Sequence, residues 1–403
     1  MARRVLITGR GTVNALGGDV PQTLAALAAG RCAIGRVTCR EAERLRIRIA
    51  AAASSPDLDA VFSPEMRQMH DRVSLLALLA AREAVAAAGL AAKELSSERC
   101  GVILGTAGGG LDTWNEAFRA VYAEGKNRVP PLTVPRLMPN APASAVAADL
   151  GIVGPVLCPS AACASAAQAL ALGLHFIRSG VCDVVLAGGS EAMLTFAGIK
   201  AWEGLRVLSP DGCRPFAADR NGFVLGEGAA VLVLEAEDHA RARGVRAAVE
   251  LAGAALRGQG GGDVVRPSAV AAERVMRAAL ADAGLAVAAV DHVNAHATGT
   301  RQGDAAEAEA LARLFENRLG VVPIAATKGL HGHAVGASAA IEGLACLLAL
   351  EEGVIPPAGS HAADPAFGID LVTGQAREAE VATCLSTTFA FGGLNAALVF
   401  RRL

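Results

Sequence analysis

One cysteine and two histidines stand where a chain could do carbonyl chemistry. Residues 159–167, PSAACASAA, set Cys163 among small side chains where a strand gives way to a helix beginning at about Cys163. A thiol at a helix N-terminus meets the positive end of the dipole and unpaired N–H donors, which lower its pKa and favour the nucleophilic thiolate. Small neighbours let a thioester approach the backbone, where N–H groups could cradle an oxyanion. A buried structural thiol is the competing reading, because free cysteine is often buried. The other eight cysteines take that structural reading.

Residues 294–300, NAHATGT, place His296 after a buried strand, in a loop of small residues that leads to Gly303, Asp304 and Glu307. Loops at the carboxyl ends of strands are where α/β proteins put active sites. Thr298 and Thr300 offer hydroxyls to a polar ligand. A satisfied loop histidine among turn formers explains the same residues. Residues 327–334, TKGLHGHA, carry Lys328, His331 and His333 ahead of an apolar helix containing Glu342. His-x-His invites a zinc reading, but a third ligand at metal-site spacing is missing, so no metal is expected. His331 reads as a solvated loop residue and His333 as entering the helix, where it could point into a cleft. Lys328 and Glu342 could form a buried pair that steadies the loop. Residues 388–395, TFAFGGLN, put Phe389 and Phe391 before two glycines. That suits a gate on a hinge, or a tight turn with core aromatics.

Positioning these residues takes a large fold. The chain has 403 residues, a net charge of -2, 53% hydrophobic and 19% charged residues, and only 3% aromatics. The length suits two domains or a duplicated one. The composition implies a core of Ala, Val, Leu and Gly without aromatic clusters. Near-neutral charge argues against a nucleic-acid groove. Nine cysteines with no C-x-x-C pair fit reduced thiols in the cytoplasm. The apolar run at 5–9 is too short for a signal peptide. The apolar stretch 334–350 carries Glu342 and falls short of a membrane span.

Strand-like runs at 4–8, 100–104, 155–157, 184–187 and 229–234 alternate with helical patterns at 71–88 and 164–179. The second part repeats the theme. It has strands at 249–256, 290–294, 324–326, 381–386 and 396–401, and helices at 269–283, 304–314 and 337–352. This alternation argues α/β with buried sheets. Residues 80–90 and 276–285 resemble each other, both closing on Ala-Gly-Leu. A division into halves 1–244 and 245–403 follows. Gly9-Arg10-Gly11 after the first strand imitates a dinucleotide loop, but the third glycine is missing at Asn14.

Taken in order, these segments resemble the elongating beta-ketoacyl-ACP synthases of the thiolase superfamily over essentially the whole chain. The segments are RRVLITG, GTAGGG, SAACASA, VLAGGSEA, RPFAADRNGFVLGEGA, NAHATGT, TKGLHGHAVGA and TTFAFGGLN. DRVSLLALLAAREA and KAWEGLRVLSPDGCRPF carry a narrower similarity to the nodulation-protein-E type.

The resemblance implies a thiolase-like five-layer αβαβα fold built from two related halves. It implies that Cys163 takes an acyl group from acyl carrier protein, and that His296 and His333 stabilise the enolate from malonyl decarboxylation. Backbone N–H groups of Cys163 and Phe391 would form the oxyanion hole, with Lys328 and Glu342 in support. Thr298 and Thr300 would meet the phosphopantetheine arm, which arrives on the carrier, so no resident cofactor is implied. Trp202 and Met138 would touch substrate. A homodimer through 155–157 would bring 132–138 to the partner's pocket; a heterodimer with a chain-length-factor subunit is an alternative. Basic contacts for the acidic carrier fall among Arg67, Arg128, Arg136 and Arg206.

Three positions depart from the family: Ala297 and Ala390 replace glycines, and Val265 replaces a threonine. The added methyls are expected to stiffen the His296 loop and the gate. Gly108 stands where a relative carries a bulky aliphatic residue beside the acyl pocket. A longer or wider pocket is expected, and Gly108→Ile should shorten the products of a reconstituted assay. A glycine required by the backbone is the competing reading. Two other functions stay open: a non-catalytic partner subunit, disfavoured by the intact Cys163, His296 and His333, and a degradative thiolase using a second cysteine near Cys384.

Overall fold

A computed structural model describes residues 3–261 and 265–403. Eleven strands join in one sheet. They are β1 (Val5–Asn14), β2 (Cys100–Gly105), β3 (Val156–Leu157), β4 (Val184–Glu191), β5 (Gly228–Ala236), β6 (Val249–Gly258), β7 (His292–Asn294), β8 (Pro323–Ala325), β9 (Asp370–Leu371), β10 (Thr383–Ala390) and β11 (Leu394–Arg402). Their order is β9-β8-β7-β10-β11-β6-β1-β5-β4-β2-β3. The junction is slender, since β1 and β6 share only the pair Leu6–Glu250. The sheet therefore falls into two leaves, one on each side of that rung.

Six helices complete the layers: α1 (Arg72–Ala88), α2 (Ala141–Leu150), α3 (Ser165–Arg178), α4 (Ala269–Asp282), α5 (Arg301–Phe315) and α6 (Ser338–Glu352). Helices α3 and α6 pack between the leaves, α1 and α2 cover the first leaf, and α4 with α5 covers the second. The five-layer αβαβα arrangement is therefore present. Residues 338–350 of α6 are buried without a break, as a middle-layer helix requires. Among the described residues no helix is long and apolar enough to cross a membrane.

Several strands run longer than their β-branched cores. The sequence reading ended the first strand at Thr8, yet β1 continues to Asn14. Gly9 and Gly11 are the reason. A Cβ on Gly9 would lie 2.3 Å from the Ala84 carbonyl oxygen, and one on Gly11 2.0 Å from that of Ala80. Both glycines exist to let α1 lie directly on the strand, which explains why they imitate a nucleotide loop. Gly253 does the same for α4, with a virtual Cβ 2.7 Å from the Ala279 oxygen. The two helices that echo each other in sequence thus hold corresponding places.

Candidate active site

Cys163 lies just before α3, whose N-cap is Ala164. The helix begins two residues later than the sequence reading placed it. Ala162 takes a φ of +48°, a left-handed conformation unusual for a residue with a side chain. Ser165 holds this turn: its hydroxyl accepts from the Ala161 N–H at 2.9 Å and donates to the Ala162 carbonyl at 2.7 Å. The thiol thus projects from a sharp bend rather than from a smooth helix start.

Burial decides the state of that thiol. The expectation of a lowered pKa is corrected: burial pushes Cys163 up to about 12, although the positive charge of Lys328 pulls the other way. The dipole of α3 does not offset the loss of water. The thiol is therefore neutral at rest and needs a base, which stands beside it. His333 Nε2 is 3.0 Å from Cys163 Sγ, and His333 Nδ1 is 2.9 Å from Ser338 Oγ at the start of α6.

His296 faces His333 edge to face, with ring centroids 5.5 Å apart. Its loop is held by Glu307 of α5, a residue to which the sequence reading gave no role. One Glu307 oxygen accepts from the His296 N–H at 2.9 Å and the other from the Ala297 N–H at 2.7 Å. The Thr387 hydroxyl on β10 donates to the same carboxylate at 2.8 Å. Asp304 accepts from the Gly299 and Phe216 N–H groups. Ala297 stands at φ +29°, so its methyl sits where glycine is favoured. Ala390 ends β10 without a positive φ, and its methyl meets no such strain.

Lys328 and Glu342 do form a buried pair, both without solvent exposure. Lys328 Nζ donates to Glu342 Oε1. Burial pushes the Glu342 carboxyl up to about 7 against the pull of Lys328. Burial first, and then Lys328, holds His296 and His333 well below the ordinary imidazole value. His331 is a correction. It is buried rather than solvated, because the whole short helix Lys328–His331 is enclosed, and its Nε2 lies 3.0 Å from Thr327 Oγ1.

Ligand atoms of Cys163, His296 and His333 lie within 4.8 Å of one another. A third ligand for a histidine pair therefore exists in space, although the sequence spacing hid it. The sulfur and imidazole ligands of one tetrahedral zinc stand about 3.6 Å apart. The 3.0 Å contact between Cys163 and His333 is instead a hydrogen bond. The geometry of this pair suits proton transfer.

A cavity of about 530 Å³ opens over the three residues. Trp202, Thr298, Thr300, Phe389 and Phe391 line it, as does Val265. Thr298 Oγ1 and Thr300 Oγ1 are 3.1 Å apart. The scarce aromatics gather here, against the compositional expectation. Phe391 stacks on Trp202 at 6.1 Å, Trp202 meets Phe223 edge-on at 5.4 Å, and Phe223 meets His333 edge-on at 5.2 Å. Phe391, Gly392 and Gly393 form the three-residue loop of the β10–β11 hairpin, since Ala390 pairs with Leu394.

Not every expected residue reaches this cavity. Met138 is exposed at the end of the helix Thr133–Leu137, and neither it nor Gly108 lines the wall. Gly108 has no left-handed φ, so its backbone does not require glycine. A Cβ there would meet Leu111 Cδ1 and Met193 Cε, each at 2.8 Å, the ends of flexible side chains. Of the four arginines suggested for a carrier, Arg206 lines the cavity, while Arg67 pairs with Asp59. Arg266 and Arg301 also line it and were missed. Cys384 is fully buried in β10, outside the cavity.

Two family models match the chain: beta-ketoacyl synthase, N-terminal domain, over residues 2–240, and beta-ketoacyl synthase, C-terminal domain, over residues 248–361. The chain is 43% identical over 404 residues to Nodulation protein E of Rhizobium sp. (strain N33), with all of both chains covered. It is 33% identical over 413 residues to 3-oxoacyl-[acyl-carrier-protein] synthase 2 of Staphylococcus aureus (strain COL), covering 99% of this chain and 98% of that one. Among solved structures, the ishigamide ketosynthase/chain length factor superposes with a TM-score of 0.95 at 30% identity, over 100% of each chain.

Proposed function

The chain belongs to the beta-ketoacyl synthase family, and from that premise we propose how its residues divide the work. It is a beta-ketoacyl-ACP synthase, an acyltransferase that forms a carbon–carbon bond by decarboxylative condensation. The contact that carries the residue assignment is the 3.0 Å approach of His333 Nε2 to Cys163 Sγ.

In the first half-reaction His333 takes the Cys163 proton as the sulfur attacks the acyl thioester. The proton then passes to the departing pantetheine thiolate. Backbone N–H groups of Cys163 and Phe391 hold the tetrahedral oxyanion. In the second, malonyl-ACP loses carbon dioxide, and the bonding electrons become the enolate of an acetyl thioester. His296 and His333 donate to that oxygen. The enolate carbon attacks the acyl-Cys163 carbonyl and expels the Cys163 thiolate, which takes the one proton the reaction consumes from solvent by way of His333. The Ser338 hydroxyl both donates and accepts, so it serves either tautomer of His333. Lys328 keeps the site positive while leaving the imidazoles neutral.

That neutrality has a consequence for pH. With both imidazole pKa values depressed, His296 and His333 stay uncharged as pH falls through the ordinary value of about 6.5. Neither imidazole is therefore expected to take a proton between about pH 8 and about pH 6. NMR titration of either ring with a midpoint near pH 6.5 would contradict it.

The carrier protein is the partner that brings both substrates in the cytoplasm. Thr298 and Thr300 at the cavity wall support contact with the pantetheine arm, and Arg206 supports docking of an acidic carrier. We assign residues 1–244 and 245–403 to the two halves. A homodimer is favoured by the exposed edge strand β3 and by the exposed apolar residues Val129, Leu132, Val134, Met138 and Val153. In such a dimer Met138 would reach the partner's cavity. The likeness to a ketosynthase/chain length factor supports a heterodimer as the second reading.

The test is mass spectrometry of the Cys163 peptide after incubation with a mixed pool of acyl-ACPs. One acyl adduct on Cys163 is expected, and its mass gives the chain accepted. His296→Ala should keep that adduct yet slow malonyl-ACP decarboxylation by about 10²- to 10⁴-fold. Acylation of another cysteine would overturn the assignment.

A further inference from the structure

Glu191, at the end of β4, is wholly buried, and its carboxylate is surrounded by donors from two separate loops. Oε1 accepts from the Thr106 hydroxyl at 3.1 Å and from the Gly108 N–H at 3.1 Å. Oε2 accepts from the Ala107 N–H at 2.8 Å and from the Gly336 N–H at 3.0 Å. The first three donors belong to the segment after β2. The fourth lies between His333 and Ser338, the residue that holds His333 Nδ1. The two loops meet so closely that a Cβ on Gly336 would stand 2.5 Å from Glu191 Oε2 and 2.6 Å from the Ala107 nitrogen. Val335 beside it is forced to a φ of +40°. A β-branched residue in that region is strained, and strain of this kind persists only where its surroundings over-determine it.

We propose that Glu191 is a positioning residue: its carboxylate rivets the 106–108 segment to the 333–338 turn and so fixes His333 Nε2 against the Cys163 thiol. A carboxylate with four donors is a strong clamp, because hydrogen bonds to an ionised acceptor are about twice as strong as neutral ones. Burial nonetheless pushes its pKa up to about 7, a sign of how completely the site excludes water. Glutamine cannot replace it. Whichever way the amide turns, its NH₂ faces two donors that the carboxylate oxygen had accepted.

The inference rests on the role given above to His333, and its test needs no carrier protein or condensation. Iodoacetamide alkylation of Cys163, followed on its own peptide by mass spectrometry, reads the thiol–imidazole contact directly. E191Q is expected to slow that alkylation by about tenfold or more at fixed pH, since small displacements of paired groups have effects of this size. Glu191→Asp, which keeps the charge, should recover part of the rate. Alkylation at the wild-type rate in folded E191Q would overturn the proposal. Faster alkylation would overturn it too, because the Glu191 charge by itself raises the Cys163 pKa and its removal should activate the thiol. If E191Q does not fold, Thr106→Val deletes a single donor and should give a smaller slowing; a folded Thr106→Val with an unchanged rate then decides against the clamp. Failure of the wild-type protein to condense substrates would contradict the function but leave these comparisons intact.

Discussion

Cys163→Ala is expected to lower condensation by about 10⁴-fold or more, while malonyl-ACP decarboxylation remains measurable. The Cys163 thiol meets His333 Nε2 at the cavity, the Ser338 hydroxyl on the other ring nitrogen does not line it, and among the described residues no other cysteine does. Decarboxylation needs only a bound malonyl group and two imidazole donors, which the variant keeps. The two activities therefore separate. Product formation by mass spectrometry gives the first, and carbon dioxide release gives the second. Cys163→Ser should do little better, because a hydroxyl in so dry a site is harder to ionise than the thiol it replaces. Condensation within about tenfold of wild type in either variant would remove Cys163 from the mechanism.

Lys328→Met is expected to destabilise the fold by about 3–5 kcal/mol, because it leaves the Glu342 carboxylate buried without a partner. The penalty should depend on pH. A lone buried carboxyl has a folded-state pKa raised above its unfolded value. The folded state then binds the extra proton, so stability falls as pH rises above the unfolded pKa. The loss should be greatest at neutral to alkaline pH and relieved as pH falls through the folded pKa. Adding Glu342→Leu removes the orphan charge and should restore most of the stability. Activity should not return with it. Lys328 also lowers the pKa of Cys163, His296 and His333, and the apolar pair supplies no such charge. Thermal unfolding and condensation rates on the single and double variants check both claims. Recovery of both together would reduce Lys328 to a scaffold residue.

The alternation of strands and helices was readable because buried strands and amphipathic helices impose different periods on the sequence. What escaped were extensions across glycines, as in β1, where Gly9 and Gly11 have no β-propensity and serve the helix above them. Small neighbours alone left Cys163 and His296 open between a catalytic and a structural role. It was the order of the segments, taken together as a resemblance, that singled them out with His333. The carboxylates that hold them were not readable. Glu191 collects backbone N–H groups from segments far away in the chain, a contact that leaves no spacing in the sequence. Asp304 and Glu307 reach back only 5 and 10 residues to the 296–299 loop, where turn-forming polar residues look the same whether or not they clamp. His331 was misread because a glycine-containing loop usually faces water, whereas here Lys328–His331 is itself a buried short helix. The thiol's ionisation was misread for a related reason: the dipole can be inferred from a sequence, but the depth of burial that outweighs it cannot.

The hairpin loop at Phe391 joins two things that could have been separate. Its ring lines the cavity, stacked on Trp202, and its backbone N–H is the one proposed for the oxyanion. Both belong to one residue in a loop of three, pinned on each side by the Ala390–Leu394 pair. A hinge motion at Gly392 and Gly393 that carried the whole of Phe391 aside would open the cavity and withdraw that N–H from the thioester carbonyl together. With the door open, the stored acyl group would then be a poor electrophile, and entering water would find little to attack. Such a loop would be an interlock, arming the thioester only once the entrance had shut.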